Sequence, residues 1–123
     1  MLEEIIAIFI GGGLGAVLRY LLTKCSHKFC GFPHVGTFVA NTLGCLLIGY
    51  IFAITMDKVK IPDSAKLFIT VGFLGGLTTF STFNNETFCL IREGKLTLGI
   101  GYMVVSCTFG LFFTLLGYHL GKY

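Results

Sequence analysis

The fold is decided by the stretch Gly75-Gly76-Leu77-Thr78-Thr79-Phe80-Ser81-Thr82-Phe83, which lies at the middle of a long apolar segment. Paired glycines followed by Thr, Thr, Ser and Thr disfavour an uninterrupted helix. At bilayer depth, backbone that leaves the helix persists only where protein, an ion or water satisfies its polar groups. The stretch therefore predicts a membrane helix that is broken at its middle. It also predicts that the functional site lies at the break.

The composition of the whole chain is typical of a membrane protein. Of its 123 residues, 54% are hydrophobic and 12% are charged, and the mean hydropathy is +0.86. Soluble domains carry about 25% charged residues, and the 17 glycines suit closely packed membrane helices. We expect one membrane domain covering residues 1–123. A cleavable signal peptide is not expected, because the first apolar segment follows the acidic Met-Leu-Glu-Glu.

The hydropathy pattern predicts an all-α protein with four spans, each near the roughly 20 residues that cross a bilayer. The spans are predicted at about 5–22, 35–56, 67–91 and 96–120. The third is the longest, and about 25 helical residues would cover roughly 38 Å against a hydrocarbon core of about 30 Å. It must tilt or break, and its central glycines and threonines favour a break. The first loop is expected to hold Lys24, Lys28 and Pro33.

Small residues four positions apart recur in the spans and indicate close helix packing. The pairs are Gly11 with Gly15, Ala40 with Gly44, Ser106 with Gly110, and Gly117 with Gly121. Because the pairs occupy different helix positions, we expect contacts both within the chain and between chains.

The basic residues are almost evenly divided between the two sides of the predicted membrane domain. One side carries Lys58, Lys60, Lys66 and Lys122, and the other carries Arg19, Lys24, Lys28, Arg92 and Lys95. Such a balance gives almost no positive-inside preference. It predicts insertion in both orientations and an antiparallel, dual-topology homodimer. A weak bias towards one fixed orientation is the alternative.

The polar side chains around the predicted break suit an anion. Phe80 and Phe83 share a face if the chain is helical, and aromatic rings have positive edges. Thr79, Ser81 and Thr82 add hydroxyl donors beside the rings. A cation would instead favour carboxylates or ring faces. Simple packing or lipid contact is the alternative interpretation of the two rings.

The second span contributes an amide, and the break contributes carbonyl groups. Asn41 has two N–H donors for an anion, and Thr37 lies one turn earlier on the same face. A hydrogen bond that only packs helices is the alternative for Asn41. Carbonyls freed near Gly75 and Thr78 are ligands for a hard cation such as Na⁺, held between two antiparallel chains.

Two charged residues and one stripe in the spans allow more than one interpretation. Arg19 either extends to the interface, anchors a helix or attracts anions. Glu86 lies either in a water-filled mouth or in a packing contact. The stripe consists of Tyr102, Ser106, Gly110 and Thr114. It is either a polar track beside a pore or a set of hydroxyls bonded to their own i−4 carbonyls.

Enzymatic activity is not expected from this sequence. It has no Ser-His-Asp candidate, and the spacing of Cys25, His27, Cys30 and His34 matches no common zinc site. A disulfide framework is not expected either, because the cysteines number five and three lie in apolar stretches. A small multidrug exporter is the alternative function, but it needs an acidic residue inside the first span.

Three sequence blocks, in order and at the right spacing, resemble the Fluc/CrcB fluoride channels. They are Gly12-Gly13-Leu14-Gly15-Ala16 with Arg19-Tyr20, Gly36-Thr37 with Asn41 and Gly44, and the run from Gly72 to Phe83. The resemblance implies passive, fluoride-selective conduction in a bacterial inner membrane, which protects the cytoplasm from fluoride. It also implies a dual-topology homodimer with two antiparallel pores.

The resemblance further assigns roles to residues of this chain. Phe80 and Phe83 would line the ion path with Asn41, and the carbonyls of Gly75 and Thr78 would hold a central Na⁺. Further members of the path would be Thr79, Ser81, Thr82, Glu86, Tyr102, Ser106 and Thr114. Gly110 offers no hydroxyl to the stripe on the fourth span.

Overall fold

The computed structural model describes residues 1–57 and 59–123, and all the regular structure in these ranges is helical. Lys58, one of the charges counted in the middle loop, lies outside the described residues. The long helices are α1 (Leu2–Cys30), α2 (Pro33–Asp57), α4 (Phe80–Arg92) and α5 (Leu96–Lys122). Helix α3 covers residues 63–77 in three parts: Asp63–Leu67, a π-helical Phe68–Leu74, and Gly75–Leu77.

Four segments of the structure are long and apolar enough to cross a membrane. They are Leu2–Cys30, His34–Met56, Asp63–Arg92 and Leu96–Lys122. The predicted all-α fold with four spans is therefore confirmed. Many large apolar side chains point outwards, including Phe9, Phe112 and Leu120. Such exposure suits a protein whose outer surface meets lipid rather than water.

The first loop is shorter than predicted. Helix α1 continues eight residues past the predicted end at Leu22 and stops at Gly31, which has a φ of 74°. The Gly31 N–H donates to the His27 carbonyl at 3.1 Å and closes the helix. Lys24 and Lys28 therefore lie on the helix. Hydropathy marks only the apolar part of a helix, whereas its hydrogen bonds continue through polar residues.

The predicted interruption of the third span is present and is confined to two residues. Thr78 has φ −85° and ψ 153°, and Thr79 has φ −151° and ψ 116°, so both are extended. The paired glycines before them remain helical, although the sequence placed them within the break. Their role is close packing, since a Cβ at Gly76 would meet the carbonyl oxygen of Gly12 on α1.

Glycines also allow two further close helix contacts within the chain. A Cβ at Gly15 would meet the carbonyl oxygen of Phe73, so α1 packs directly against α3. A Cβ at Gly117 would meet the carbonyl oxygen of Leu46, so α5 packs directly against α2. Three of the predicted small-residue pairs, Gly11 with Gly15, Ala40 with Gly44, and Gly117 with Gly121, thus make contacts inside the chain. These contacts hold α1 against the interrupted span and α5 against α2.

Candidate functional site

The side chain of Asn41 on α2 binds the backbone at the interruption. Its Oδ1 accepts a hydrogen bond from the Thr79 N–H at 2.8 Å, and its Nδ2 donates to the Thr79 carbonyl at 3.2 Å. The protein itself therefore satisfies the extended backbone at Thr79, as a membrane interior requires. One of the two amide N–H donors is used in this way, so Asn41 keeps one donor for an ion rather than the two predicted.

A cluster of three hydroxyls begins α4. The Oγ1 of Thr79 accepts from the Thr82 N–H at 3.2 Å and thereby caps the helix. The same oxygen lies 3.0 Å from Oγ1 of Thr82, to which it donates, and 3.4 Å from Oγ of Ser81. The predicted hydroxyl cluster thus forms at the N-terminus of α4, where the helix dipole favours negative charge.

Three aromatic rings lie in series from the interruption towards α5. The centroids of Phe80 and Phe83 are 6.2 Å apart, and those of Phe83 and Tyr102 are 5.2 Å apart in an edge-to-face arrangement. The ring of Phe80 is 76% exposed, whereas Phe83 is only 6% exposed. The ring of Phe80 is therefore accessible from outside the chain, and Phe83 lies between Phe80 and Tyr102.

Glu86 is held between α2 and α5 by two hydroxyl donors. Thr37 donates to its Oε1 at 2.7 Å, and Tyr102 donates to its Oε2 at 2.8 Å. Hydrogen bonds to an ionised carboxylate are about twice as strong as neutral ones. The pairing of Thr37 with Glu86 was not predicted, because 49 residues separate them and no local pattern connects them.

The hydroxyls of the stripe on α5 behave differently from one another. Thr114 donates to the carbonyl of Gly110 at 3.0 Å, which is the i−4 bond given above as the alternative. Tyr102 is engaged with Glu86. The Oγ of Ser106 is buried and has no hydrogen-bond partner among the described residues. Ser106 is therefore the member of the stripe whose hydroxyl is free for a ligand.

An open groove of about 670 Å³ collects most of the predicted site residues. It lies between α2, the interrupted span and α5. Its lining includes Asn41, Gly75, Thr78, Thr79, Phe80, Phe83, Ser106 and Thr114. Four predicted residues lie outside the lining: Ser81, Thr82, Glu86 and Tyr102. Of these, Ser81 and Thr82 belong to the hydroxyl cluster, and Glu86 and Tyr102 lie beyond Phe83.

Among the described residues, several backbone carbonyls at the interruption receive no hydrogen bond, and those of Gly75 and Thr78 are two of them. The Leu74 carbonyl accepts from the N–H and the hydroxyl of Thr78, and the Gly76 carbonyl accepts from Arg19 Nε at 3.1 Å. Within residues 1–57 and 59–123, no hydrogen bond reaches the carbonyls of Gly75 or Thr78. Both residues line the groove. The hydrogen bond to Gly76 supports the anchoring role among the alternatives for Arg19, because it joins α1 to the interrupted span.

Taken together, these features define a small four-span membrane protein with an interrupted third span and a polar groove beside it. Residues 6–118 match the family described as "CrcB-like protein, Camphor Resistance (CrcB)". This chain belongs to that family, as the sequence blocks predicted. It is a multi-pass protein of the bacterial membrane, which confirms the predicted location.

Several relatives match almost the whole chain. The chain is 42% identical over 120 residues to the "Fluoride-specific ion channel FluC" of Aquifex aeolicus, and the match covers 96% of each protein. It is 45% identical over 115 residues to the protein of the same description in Clostridium perfringens, covering 92% of this chain and 89% of the relative. A relative in Pyrococcus horikoshii, with the same description, is 38% identical over 123 residues and 99% of each chain.

Proposed function

We propose that this protein is a fluoride-selective channel that lets fluoride leave the cytoplasm passively and so protects the cell from fluoride. The observation that carries the proposal is the near full-length similarity to relatives described as fluoride-specific ion channels. The matched region includes the interrupted span and every residue of the groove. The donors found in that groove are of the kind that a small anion needs.

Selectivity for fluoride depends on the hydrogen-bond donors that replace the hydration shell of the ion. Fluoride is small and strongly hydrated, so a path that admits it must bring donors close on several sides. Asn41 supplies its remaining amide N–H, and Ser106 supplies its free hydroxyl. The edges of the Phe80 ring carry partial positive charge but form only weak contacts. Weak contacts keep the ion loosely held, as conduction requires.

Beyond the phenylalanines, the path continues to the contact between Tyr102 and Glu86. A free carboxylate would repel an anion, but the oxygens of Glu86 are occupied by Thr37 and Tyr102. In this arrangement Glu86 acts as a positioning residue that holds the ring of Tyr102 against Phe83. The hydroxyls of Thr79, Ser81 and Thr82 contribute favourable dipoles at the N-terminus of α4. Thr114 lines the groove with its hydroxyl turned to its own helix.

The working form is proposed to be an antiparallel homodimer with two pores. Two observations support it: the groove is open along one side of the chain, and the basic residues are balanced between the two membrane faces. An inverted second copy would close the groove and bring two interrupted spans together. The apolar side chains exposed on the same side of the chain would then be buried against protein.

A central Na⁺ belongs to the same proposal. The carbonyls of Gly75 and Thr78 fit such an ion, because they lack hydrogen-bond donors within the described chain and line the groove. Carbonyl oxygen is the ligand that a hard cation prefers. When bound, the ion would supply positive charge near the path and satisfy both carbonyls.

Survival in fluoride tests the protective role. A bacterial strain that lacks its own fluoride exporter is grown in rising fluoride concentrations, with and without this protein. The protein is expected to restore growth, and a variant Phe80→Ile is expected not to. If neither protein restores growth although both reach the membrane, fluoride export is not the function.

Proton-coupled fluoride export is the second candidate, and Glu86 is the observation that favours it. It is a carboxylate inside a span, hydrogen-bonded to two hydroxyls, and such groups often carry protons. Fluoride flux that continues without a proton gradient would exclude coupling. The multidrug exporter is disfavoured, because the acidic residues of α1 are Glu3 and Glu4 in its first turn.

A further inference from the structure

His34 is a titratable residue that the proposed path has not used. It lies in the first turn of α2, three residues before Thr37. Its Nδ1 is buried and has no hydrogen-bond partner among the residues that the structure describes. A buried polar atom without a partner is uncommon in proteins, and each instance calls for a physical explanation.

The ring of His34 extends the series of aromatic rings by one member. Its centroid is 5.8 Å from that of Tyr102, and Tyr102 in turn contacts Phe83. The Tyr102 hydroxyl also lies 3.5 Å from the His34 carbonyl. A continuous series therefore runs from Phe80 at the groove, through Phe83 and Tyr102, to His34 at the end of the bundle.

Charged groups of both signs lie at this end of the path, and one of its two carboxylates, Glu93, is paired with Lys95. Tyr102 contacts both Glu86 and His34: its hydroxyl donates to Glu86, and its ring lies beside that of His34. The pKa of Glu93, in the turn before α5, lies below its usual value, first because Lys95 donates a hydrogen bond to its carboxylate and then because of the positive charges of Lys95 and Arg92. The charged and titratable groups at this end include His27, Lys28, Cys30, Glu86, Arg92, Glu93, Lys95 and Tyr102.

We propose that His34 is a further residue of the fluoride path, and that its protonation raises fluoride flux as the pH falls. The proposal rests on the proposed function. Histidine is the side chain that ordinarily changes charge between about pH 5 and 8. Protonated His34 has two N–H donors and a positive charge, which offsets Glu86 and draws an anion to the end of the path. Neutral His34 lacks this positive charge and has only one N–H donor.

The size of the effect follows from one added charge. A unit charge about 7 Å from the ion in a water-filled mouth changes its local concentration about threefold, and more where the surroundings are less polar. We therefore expect fluoride flux to rise at least about threefold between pH 8 and pH 6. Histidine is the side-chain type that ordinarily changes charge in this interval, so variants of His34 and of His27 identify the group that responds.

Fluoride efflux from liposomes at equal internal and external pH tests the proposal. The wild type, His34→Gln and His27→Gln are compared at pH 8, 7 and 6, after subtraction of the leak from protein-free liposomes. His27→Gln is the matched control, because His27 is exposed near the end of α1. We expect the wild type and His27→Gln to share the rise in flux, and His34→Gln to have a flat profile.

Several outcomes would overturn the role of His34. If wild-type fluoride flux stays constant or falls as the pH is lowered, the role is contradicted without any variant. It is also contradicted if His34→Gln keeps the rise in flux. If His34→Gln does not assemble, His34→Arg takes its place and is expected to conduct at pH 8 as the wild type does at pH 6. Wild-type protein that carries no more fluoride than chloride at any pH would contradict the proposed fluoride-channel function. This outcome differs from those above, which contradict only the role of His34.

Discussion

Asn41 binds both polar groups of the Thr79 backbone, 38 residues further along the chain. One side chain thus replaces the hydrogen bonds that the helix gives up where it is interrupted. Specific hydrogen bonds therefore stabilise the interruption. The nearby residues Gly75 and Thr78 line the groove, and their carbonyls receive no hydrogen bond from the described residues. Asn41 has a structural role and a proposed role in the ion path at the same time.

Replacing Asn41 tests the first of these roles. Asn41→Leu leaves the N–H and the carbonyl of Thr79 without partners, and each such group costs about 1–3 kcal/mol in an apolar setting. We expect a clear fall in the melting temperature of the purified protein in detergent, together with loss of fluoride flux. Asn85→Leu is the control, since Asn85 is exposed on α4. Equal melting temperatures for Asn41→Leu and the wild type would show that the two hydrogen bonds do not hold the interruption.

The exposed ring at the interruption is expected to matter for flux rather than for stability. Phe80 is 76% exposed within the chain, so Phe80→Ile removes little internal packing but abolishes the ring edge. We expect fluoride flux in liposomes to fall at least about tenfold, the factor that corresponds to 1.4 kcal/mol. Phe88→Ile on the same helix is the matched control, because Phe88 is 58% exposed and lies outside the groove. Unchanged flux in Phe80→Ile would remove this ring from the path.

The hydroxyls of Ser106 and Thr114 on α5 allow a direct comparison of a free and a hydrogen-bonded group. Ser106→Ala removes a buried hydroxyl that has no partner within the described chain, so we expect equal or higher thermal stability and lower fluoride flux. Thr114→Val removes a hydroxyl that is bound to the Gly110 carbonyl, so its effect on flux is expected to be smaller. Flux assays and thermal unfolding of both variants measure the difference. A larger loss of flux in Thr114→Val than in Ser106→Ala would contradict the assignment of Ser106.

Insertion in both orientations has its own test in cells. The C-terminus is fused either to a reporter active only in the cytoplasm or to one active only outside it. Both fusions are expected to give signal, because basic residues are balanced between the two sides. Val59→Lys adds a positive charge on the exposed side of the middle loop and is expected to shift the signal towards the cytoplasmic reporter. Signal from one reporter alone in the wild type would exclude dual insertion.

The spans and the interruption were predictable, because hydropathy and helix propensity are local properties of the sequence. The main corrections concern residues whose role depends on a distant partner. The paired glycines looked like helix breakers, but Gly76 lies against α1, where a side chain would not fit. Arg19 bonds the Gly76 carbonyl across 57 residues, and Thr37 bonds Glu86 across 49. A sequence shows that such polar groups need partners in a membrane, but it does not show which partners they find.

The most direct test of the central claim is the efflux of fluoride and chloride from liposomes that contain the purified protein. Both anions are followed with ion-selective electrodes under identical gradients and without a proton gradient, with Phe88→Ile as the control variant. The account predicts rapid fluoride efflux and chloride efflux no faster than from protein-free liposomes. Fluoride efflux no faster than chloride efflux would contradict it.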